Sequence, residues 1–324
     1  MKRATYCTQP DVIDFVIWLG KIIQGSVPID FCYGPIRGNV WPLLYSVLAN
    51  YKWPLKTNNG PQPDLIWPFP AGAQFCLRAK SNLATNNAVL CNLQNGLRAA
   101  MLPSSGHDPA LWVAAILIWG GVYTKTKSGG NKDWLSLNRV NVRSIINGTM
   151  GALSAGDDDL KKLKFLNLRF NSGMTKVYSL LLQDFIIYDS RVAAALAWLV
   201  WKWCKSRDPA VSSPPEALAF ACMKANEPRN TKNPKIRNPC KSAFSNLNQN
   251  AYKHAKWNLR ANWILHAAFS LPNSGETSVA SGNFKLLREV EAALFTMGYD
   301  LKHAIAAGLT SPFTACPLTP PATP

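Results

Sequence analysis

Three scarcities bound this 324-residue chain before any motif is sought. Acidic residues are few, 18 against 35 Lys+Arg, for a formal net charge of +17. Such an excess suits a polyanionic partner and makes an acidic one unfavourable. Paired cysteines are missing: the eight cysteines stand singly, without the C-x-x-C spacing that zinc ribbons and most iron–sulfur sites need. They read as small buried hydrophobes in a reducing compartment rather than a disulfide frame, and no metal or other cofactor is expected. Long apolar runs are lacking too. The longest, LWVAAILIWGGVY from Leu111 to Tyr123, is too short for a bilayer. Met1-Lys2-Arg3 is followed by Asp11 and Asp14 where a signal peptide needs unbroken apolar sequence. The chain therefore reads as cytoplasmic, with no membrane partner. No repeat of 20 to 50 residues recurs, and strand signals are few.

What is present is mostly helical patterning. At 48% hydrophobic and 16% charged, the chain can fill a real core. Residues 1–100, whose opening seventy are rich in Trp and Pro, form an N-terminal region without an assignable role; residues 101–310 form a helical domain; 311–324, ending PLTPPATP, read as a disordered tail. Helices are predicted over Pro109–Trp119, from the acidic start Asp157-Asp158-Asp159 through LKKLKFLNL, over Met174–Leu182, Ser190–Cys204, Ala251–Phe269 and Phe284–Met297.

Charge is unevenly spread. Between Pro228 and Gly275 there is no acidic residue, while Arg229, Lys232, Lys235, Arg237, Lys241, Lys253, Lys256 and Arg260 are basic. A basic loop there feeds a predicted basic helix face, a surface suited to tracking phosphates, although a merely solvated basic face has the same composition. The glycine-rich loop WGGVYTKTKSGGNKDW carries Lys125, Lys127 and Lys132 and is a weaker signal of the same kind.

One stretch joins these patterns to chemistry. In GMTKVYSLLLQDFIIYDSRV, Lys176 opens one apolar segment and Asp189 the next. A helix from Met174 to Gln183 runs ~15 Å. The β-branched and aromatic DFIIYD reads as extended, spans up to ~20 Å, and is long enough to return to the helix start. Asp189 before Ser190-Arg191-Val192 is a good N-cap. The pattern is compatible with two outcomes: a surface lysine with an ordinary cap, or an amine and a carboxylate brought together. Upstream, DDDLKKLKFLNLRFNSGMTK reads as helix, short turn at Asn171, Ser172 and Gly173, then helix.

This order resembles the helix-hairpin-helix DNA glycosylase superfamily. Within it the chain is similar to bacterial proteins with the 8-oxoguanine DNA glycosylase fold, some of which look like phage-defence enzymes. The resemblance covers roughly residues 157–203. It implies a lysine nucleophile at Lys176 and a carboxylate partner at Asp189, with hairpin contacts to DNA through Asn171, Ser172, Gly173 and Thr175 and a phosphate contact at Arg191. The basic loop adds Lys232, Lys235 and Arg237. RFNSG departs from the usual hairpin in keeping only Gly173, Asn171 being the other residue able to turn left-handed. The four-cysteine cluster of some relatives is absent. Val177, Leu180 and Ile187 are the apolar neighbours expected to desolvate the amine.

The expectation is a monomeric, mostly α enzyme acting on double-stranded DNA, flipping out and excising a modified base. A hypermodified phage base such as a substituted cytosine is the leading substrate. The rivals are an 8-oxoguanine repair glycosylase with AP lyase activity, a non-catalytic helix-hairpin-helix DNA-binding protein, and a basic protein that binds RNA or another protein. DNA affinity is expected to fall steeply between low and physiological salt as phosphate counterions are released. A flat dependence in a binding titration would remove the nucleic-acid reading.

Overall fold

The computed structural model describes residues 1–34, 39–53, 57–61, 68–124, 129–160, 169–228, 230–247, 250–272 and 285–308. The expected helix through LKKLKFLNL, the residues Lys125, Lys127 and Arg229, and the expected tail lie outside these residues. Among the described residues the chain is mostly helical. The helices are α1 (Arg3–Cys7), α2 (Pro10–Ile23), α3 (Leu44–Leu48), α4 (Leu83–Met101), α5 (Pro109–Trp119), α6 (Asn131–Leu137), α7 (Val142–Ser154), α8 (Met174–Leu181), α9 (Ser190–Arg207), α10 (Ala251–Phe269), α11 (Leu287–Met297) and α12 (Lys302–Ala306). Two short antiparallel pairs, β1 (Phe31–Cys32) with β2 (Val40–Trp41) and β3 (Thr57–Asn59) with β4 (Cys76–Arg78), complete the regular structure. No described helix is long and apolar enough to cross a membrane.

Local chemistry accounts for the helix starts. The Asn82 side chain accepts from Thr85 N at the head of α4, Asp108 from Ala110 N before Pro109 of α5, and Asn250 from Lys253 N at the head of α10. Each satisfies an amide that has no partner within its own helix. Helices α5 and α9 are apolar nearly all round, so they can be stable only inside the molecule. Every residue of α5 except Ile118 is buried, as is α9 from Val192 to Cys204. Around them α4 packs on α5, α5 on α8, α9 on α11, and α2 on α10.

Three expectations are corrected here. Residues 1–100 are not a region apart: α2 packs on α10, α3 packs on α11, and residue 100 falls inside α4. One buried apolar cluster runs from Tyr6 to Ala304. The predicted basic face of α10 is reduced: Lys253 and Lys256 are half-buried, and Arg260 lies in the interior. Arg260 is 5% exposed, pairs with Asp158 at 2.7 Å and lies over the rings of Tyr6 and Trp257. The cysteines are not uniformly core: Cys204 and Cys222 are buried, whereas Cys76 and Cys91 are exposed.

The contact of α11 with α9 is close enough to exclude a side chain. A Cβ on Gly298, which ends α11, would lie 1.9 Å from the carbonyl oxygen of Arg191. Backbone atoms at a helix start cannot yield, so Gly298→Ala is expected to lower stability by about 1–3 kcal/mol or more. A urea-unfolding midpoint equal to wild type would show that the two helices separate without cost.

Candidate active site

The site is assembled where α8 and α9 begin. Lys176 lies in the first turn of α8, and Asp189 is the N-cap of α9. The intervening segment turns at Asp184, a residue with φ of +50°, and returns in extended form. Lys176 Nζ donates to the carbonyl oxygen of Ser172 at 2.6 Å and stands 3.9 Å from Asp189 Oδ2. The two oxygens of Asp189 face different groups. Oδ1 accepts from the amides of Arg191 at 2.9 Å and Val192 at 3.2 Å, while Oδ2 is turned toward the amine. The capping role and the juxtaposition with lysine are therefore both realised.

The amine is deep. Lys176 is 5% exposed, and its stem lies across Gly120, where a Cβ would come within 2.6 Å of Lys176 Cδ. The glycine pair that closes α5 thus makes room for the lysine. Burial pulls the ammonium below its usual pKa, opposed by the attraction of Asp189 and Glu291. At 3.9 Å the carboxylate is too far for a direct hydrogen bond, so attraction does not cancel the loss of water. For Asp189, burial alone would raise the carboxyl; Lys176, Arg191 and the two amides outweigh it and hold it below the usual carboxylate range. The amine is thus easier to deprotonate than an ordinary lysine, and the carboxyl ionises more readily than an ordinary aspartate. Ile187 lines the same pocket as Lys176, whereas Val177 and Leu180 are buried without lining it.

What holds Asp189 in place is a set of side chains rather than a sheet. The amide of Ile186 donates to Asn262 Oδ1 at 2.7 Å, that of Ile187 to Glu291 Oε2 at 2.8 Å, and that of Tyr188 to Thr175 Oγ1 at 3.0 Å. The carbonyl of Ile186 accepts from Asn258 Nδ2 at 3.1 Å. The carbonyl of Tyr188 is 2.7 Å from His254 Nε2, which fixes that nitrogen as the donor. Thr175 Oγ1 in turn donates to Asn258 at 2.5 Å. Thr175 is fully buried and cannot reach DNA, which corrects its expected role.

The turn before α8 also differs from expectation. Neither Asn171 nor Gly173 is left-handed; Asn171 instead caps the helix, its Oδ1 accepting from Gly173 N at 2.9 Å and Met174 N at 3.0 Å. Its amide donates to Asn131 Oδ1 at 2.8 Å, and Asn131 Nδ2 donates to the carbonyl of Val122, tying the turn to the loop after α5. The amides expected to hold a phosphate are thus already engaged.

Lys176, Asp189 and Ser172 open into a pocket of about 380 Å³. One wall is aromatic: Tyr51, Trp53, Trp119 and Phe295, with Trp53 stacked on Trp119 at 4.6 Å between centroids. The charged groups of the other walls are Arg191, Arg237, Arg288, Glu291 and Lys224. Beyond Val122, Ser172, Met223 and Lys224 a second cleft of about 900 Å³ continues, lined by Asn171, Ser172 and Gly173 and by no acidic residue among those described. Of the remaining expected contacts, Lys232 is exposed and Lys235 is paired with Glu227 beside the Tyr299 ring; neither lines the two cavities. No cluster of His, Cys, Asp and Glu able to hold a metal occurs among the described residues.

Sequence reasoning did not single out Gly120, Tyr51, Trp53, Arg288, Glu291 or Phe295 as site residues, nor the supports His254, Asn258 and Asn262. The i, i+3 pair Arg288–Glu291 with Phe295 one turn on was visible but is indistinguishable from an ordinary amphipathic helix. Comparisons with models of protein families, with curated proteins and with solved structures each returned no match.

His254 gives the support network a pH dependence. Burial lowers its pKa to about 4 from an ordinary 6.5, with the Tyr188 carbonyl opposing. The unfolded chain therefore binds a proton between these values that the folded chain does not, and stability present above pH 6.5 is lost as pH falls toward 4. The loss is on the order of 3 kcal/mol. His254→Gln keeps a donor for Tyr188 without the titration, and should flatten the unfolding free energy over that window. An unchanged acid profile in the variant would assign the dependence to other groups.

Proposed function

We propose that the chain is a DNA glycosylase of the helix-hairpin-helix, 8-oxoguanine glycosylase type, acting on a flipped-out modified base. The observation that carries the reading is a desolvated amine facing the free oxygen of a charged carboxylate on the wall of a partly aromatic pocket. At about 380 Å³ that pocket falls within the usual range for small-ligand sites. The aromatic wall suits a planar base taken out of the stack.

In this mechanism the N-glycosidic bond lengthens and positive charge gathers on the deoxyribose, which Asp189 Oδ2 stabilises. The lone pair of neutral Lys176 Nζ then bonds to C1′, and the glycosidic electron pair leaves with the base. The proton shed by the amine passes through Asp189 to the departing base. Ring opening yields a Schiff base, from which β-elimination can cleave the strand. The 2.6 Å bond to Ser172 O aims the Nζ lone pair, and Gly120 gives the stem its path.

The substrate reading favours a bulky base. A compact oxidised purine needs no further room, whereas this pocket shares Val122, Ser172, Met223 and Lys224 with an adjoining cleft of about 900 Å³ suited to a substituent. A hypermodified phage base such as a substituted cytosine fits that space, with a defence role following from abasic sites left in the invading genome. Oxidative repair is the second reading. A non-catalytic hairpin protein is disfavoured because the hairpin amides are capped by Asn171.

Borohydride is expected to trap the chain on substrate DNA through Lys176. Trapping should rise with pH through a pKa below that of ordinary lysine, because only the neutral amine attacks. Lys176→Gln should abolish trapping; release of bases by this variant at the wild-type rate would refute the lysine mechanism. Asp189→Asn retains a capping side chain and should keep the fold while losing excision by on the order of 10²-fold. Mass spectrometry of bases released from phage DNA carrying modified cytosines, beside a duplex carrying 8-oxoguanine, decides the substrate. Release confined to 8-oxoguanine would leave ordinary oxidative repair.

A further inference from the structure

Two donors in the aromatic wall of the lysine pocket have no acceptor among the described residues. Trp53 is 4% exposed, and its buried Nε1 has no hydrogen-bond partner there. An indole N–H can only donate, and a buried donor left unsatisfied carries its full desolvation penalty. The ring is fixed by near-parallel stacking with Trp119 and Phe295, at 4.6 and 6.3 Å between centroids.

Tyr51 supplies the second donor. Fully buried Asn86 stands between Tyr51 and Trp119. Because Trp119 Nε1 can only donate, Asn86 turns Oδ1 to it at 2.8 Å and Nδ2 to the Tyr51 hydroxyl at 2.5 Å. The hydroxyl is thereby made the acceptor, and its own proton is unspent. Burial raises the Tyr51 pKa to about 12, against the pull of Arg288, Asn86 and Arg191, so the proton is retained. Both residues line the pocket with Lys176, and the Tyr51 ring lies 6.1 Å from that of Phe295, which also stacks on Trp53.

The carboxylates of the pocket are engaged elsewhere. Asp189 serves two amides and faces Lys176, and Glu291 accepts from the amide of Ile187 and from Arg288. A molecule that enters with two acceptors relieves both donors. Tyr51 and Trp53 belong to residues 1–100, outside the stretch that resembles the glycosylases.

We propose that Trp53 Nε1–H and the Tyr51 hydroxyl read the base: the pair admits one that presents two neighbouring acceptors, N3 and O2 of a cytosine, and turns away the uracil with the same substituent, whose N3 carries a proton. This deepens the glycosylase reading and rests on it for the choice of a nucleobase over other molecules with paired acceptors.

The test binds the full chain to two duplexes, one with 5-hydroxymethylcytosine and one with 5-hydroxymethyluracil. Each modified nucleotide carries a 2′-fluorine that resists excision and stands opposite an abasic spacer, so that flipping breaks no base pair. The cytosine duplex should bind about tenfold or more tightly. On its addition the indole N–H resonance of Trp53, identified by its loss from Trp53→Phe, should move downfield. Trp53→Phe and Tyr51→Phe should each lose most of the preference. Equal binding of the two duplexes to wild type, or binding of neither, would overturn the donor pair, and this comparison needs no variant to fold. So would the full preference persisting in either variant once shown to be folded. Base release from the unfluorinated duplexes, measured on the same preparation, separates the two readings: release without a cytosine preference in binding sinks the donor pair alone, and a preference without release sinks the glycosylase chemistry alone.

Discussion

Five residues of extended backbone, Phe185 to Asp189, cross the interior with no strand beside them, and the geometry of the site depends on how their polar groups are satisfied. An unpaired buried amide or carbonyl carries a desolvation penalty of about 1–3 kcal/mol, so such a segment persists only if partners come from elsewhere. Here they are side chains from three helices: Thr175 of α8, His254, Asn258 and Asn262 of α10, and Glu291 of α11. These bonds fix the return that brings Asp189 back to the head of α8. They also explain why α10, although rich in Lys, Arg, Asn and His, is an interior helix. His254, Asn258 and Asn262 face inward to the return segment, and Arg260 to Asp158.

A division of labour at Asp189 follows from the same geometry. A carboxylate that only capped α9 would gain little from a buried lysine beside it, and a lysine with only a carbonyl for company would not need a charged neighbour. The split between Oδ1 on the amides and Oδ2 toward the amine lets one residue begin a helix and set the local field. Lys176, Arg191 and the two amides together hold the carboxyl low despite burial, which is the condition for stabilising developing positive charge. Lys176 meets the opposite condition. Its hydrogen-bond acceptor is the Ser172 carbonyl, and burial prevails over the attraction of Asp189 and Glu291, which lowers its pKa.

Much of this was legible in local pattern. Pro109–Trp119 and Ala251–Phe269 are helices with the predicted bounds, because Asp108-Pro109 and Asn250 are strong start signals before apolar runs. The extended run from Phe185, the return to Lys176 and the cap at Asp189 were readable from β-branched composition and length, whereas Asp184, expected to be extended, makes the turn. Helices α2 and α4 were not among the expected ones, though Pro10 heads the first and Leu90, Leu93, Leu97 and Ala100 give the second a buried stripe. Their Trp/Pro-rich and Asn-rich surroundings masked that period. The pocket walls were illegible for a different reason. Trp53, Trp119 and Phe295 meet through tertiary packing of segments more than sixty residues apart, and no local spacing encodes that. Gly120 likewise reads as a helix stop until Lys176 is seen to lie across it.

The turn at Asn171 changes where a phosphate would be held. In the expected hairpin, free amides at a helix start bind the anion, and a basic helix face extends the contact. In this chain Asn171 takes those amides and Arg260 of α10 turns inward to Asp158, while Lys253 and Lys256 of the same helix stay half-buried. At the head of α9, Arg191 and Arg237 stand beside the pocket, and Lys224 borders both cavities. On the glycosylase reading, selectivity for the flipped nucleotide would then reside in the same few residues that position the chemistry, rather than in a separate DNA-gripping motif.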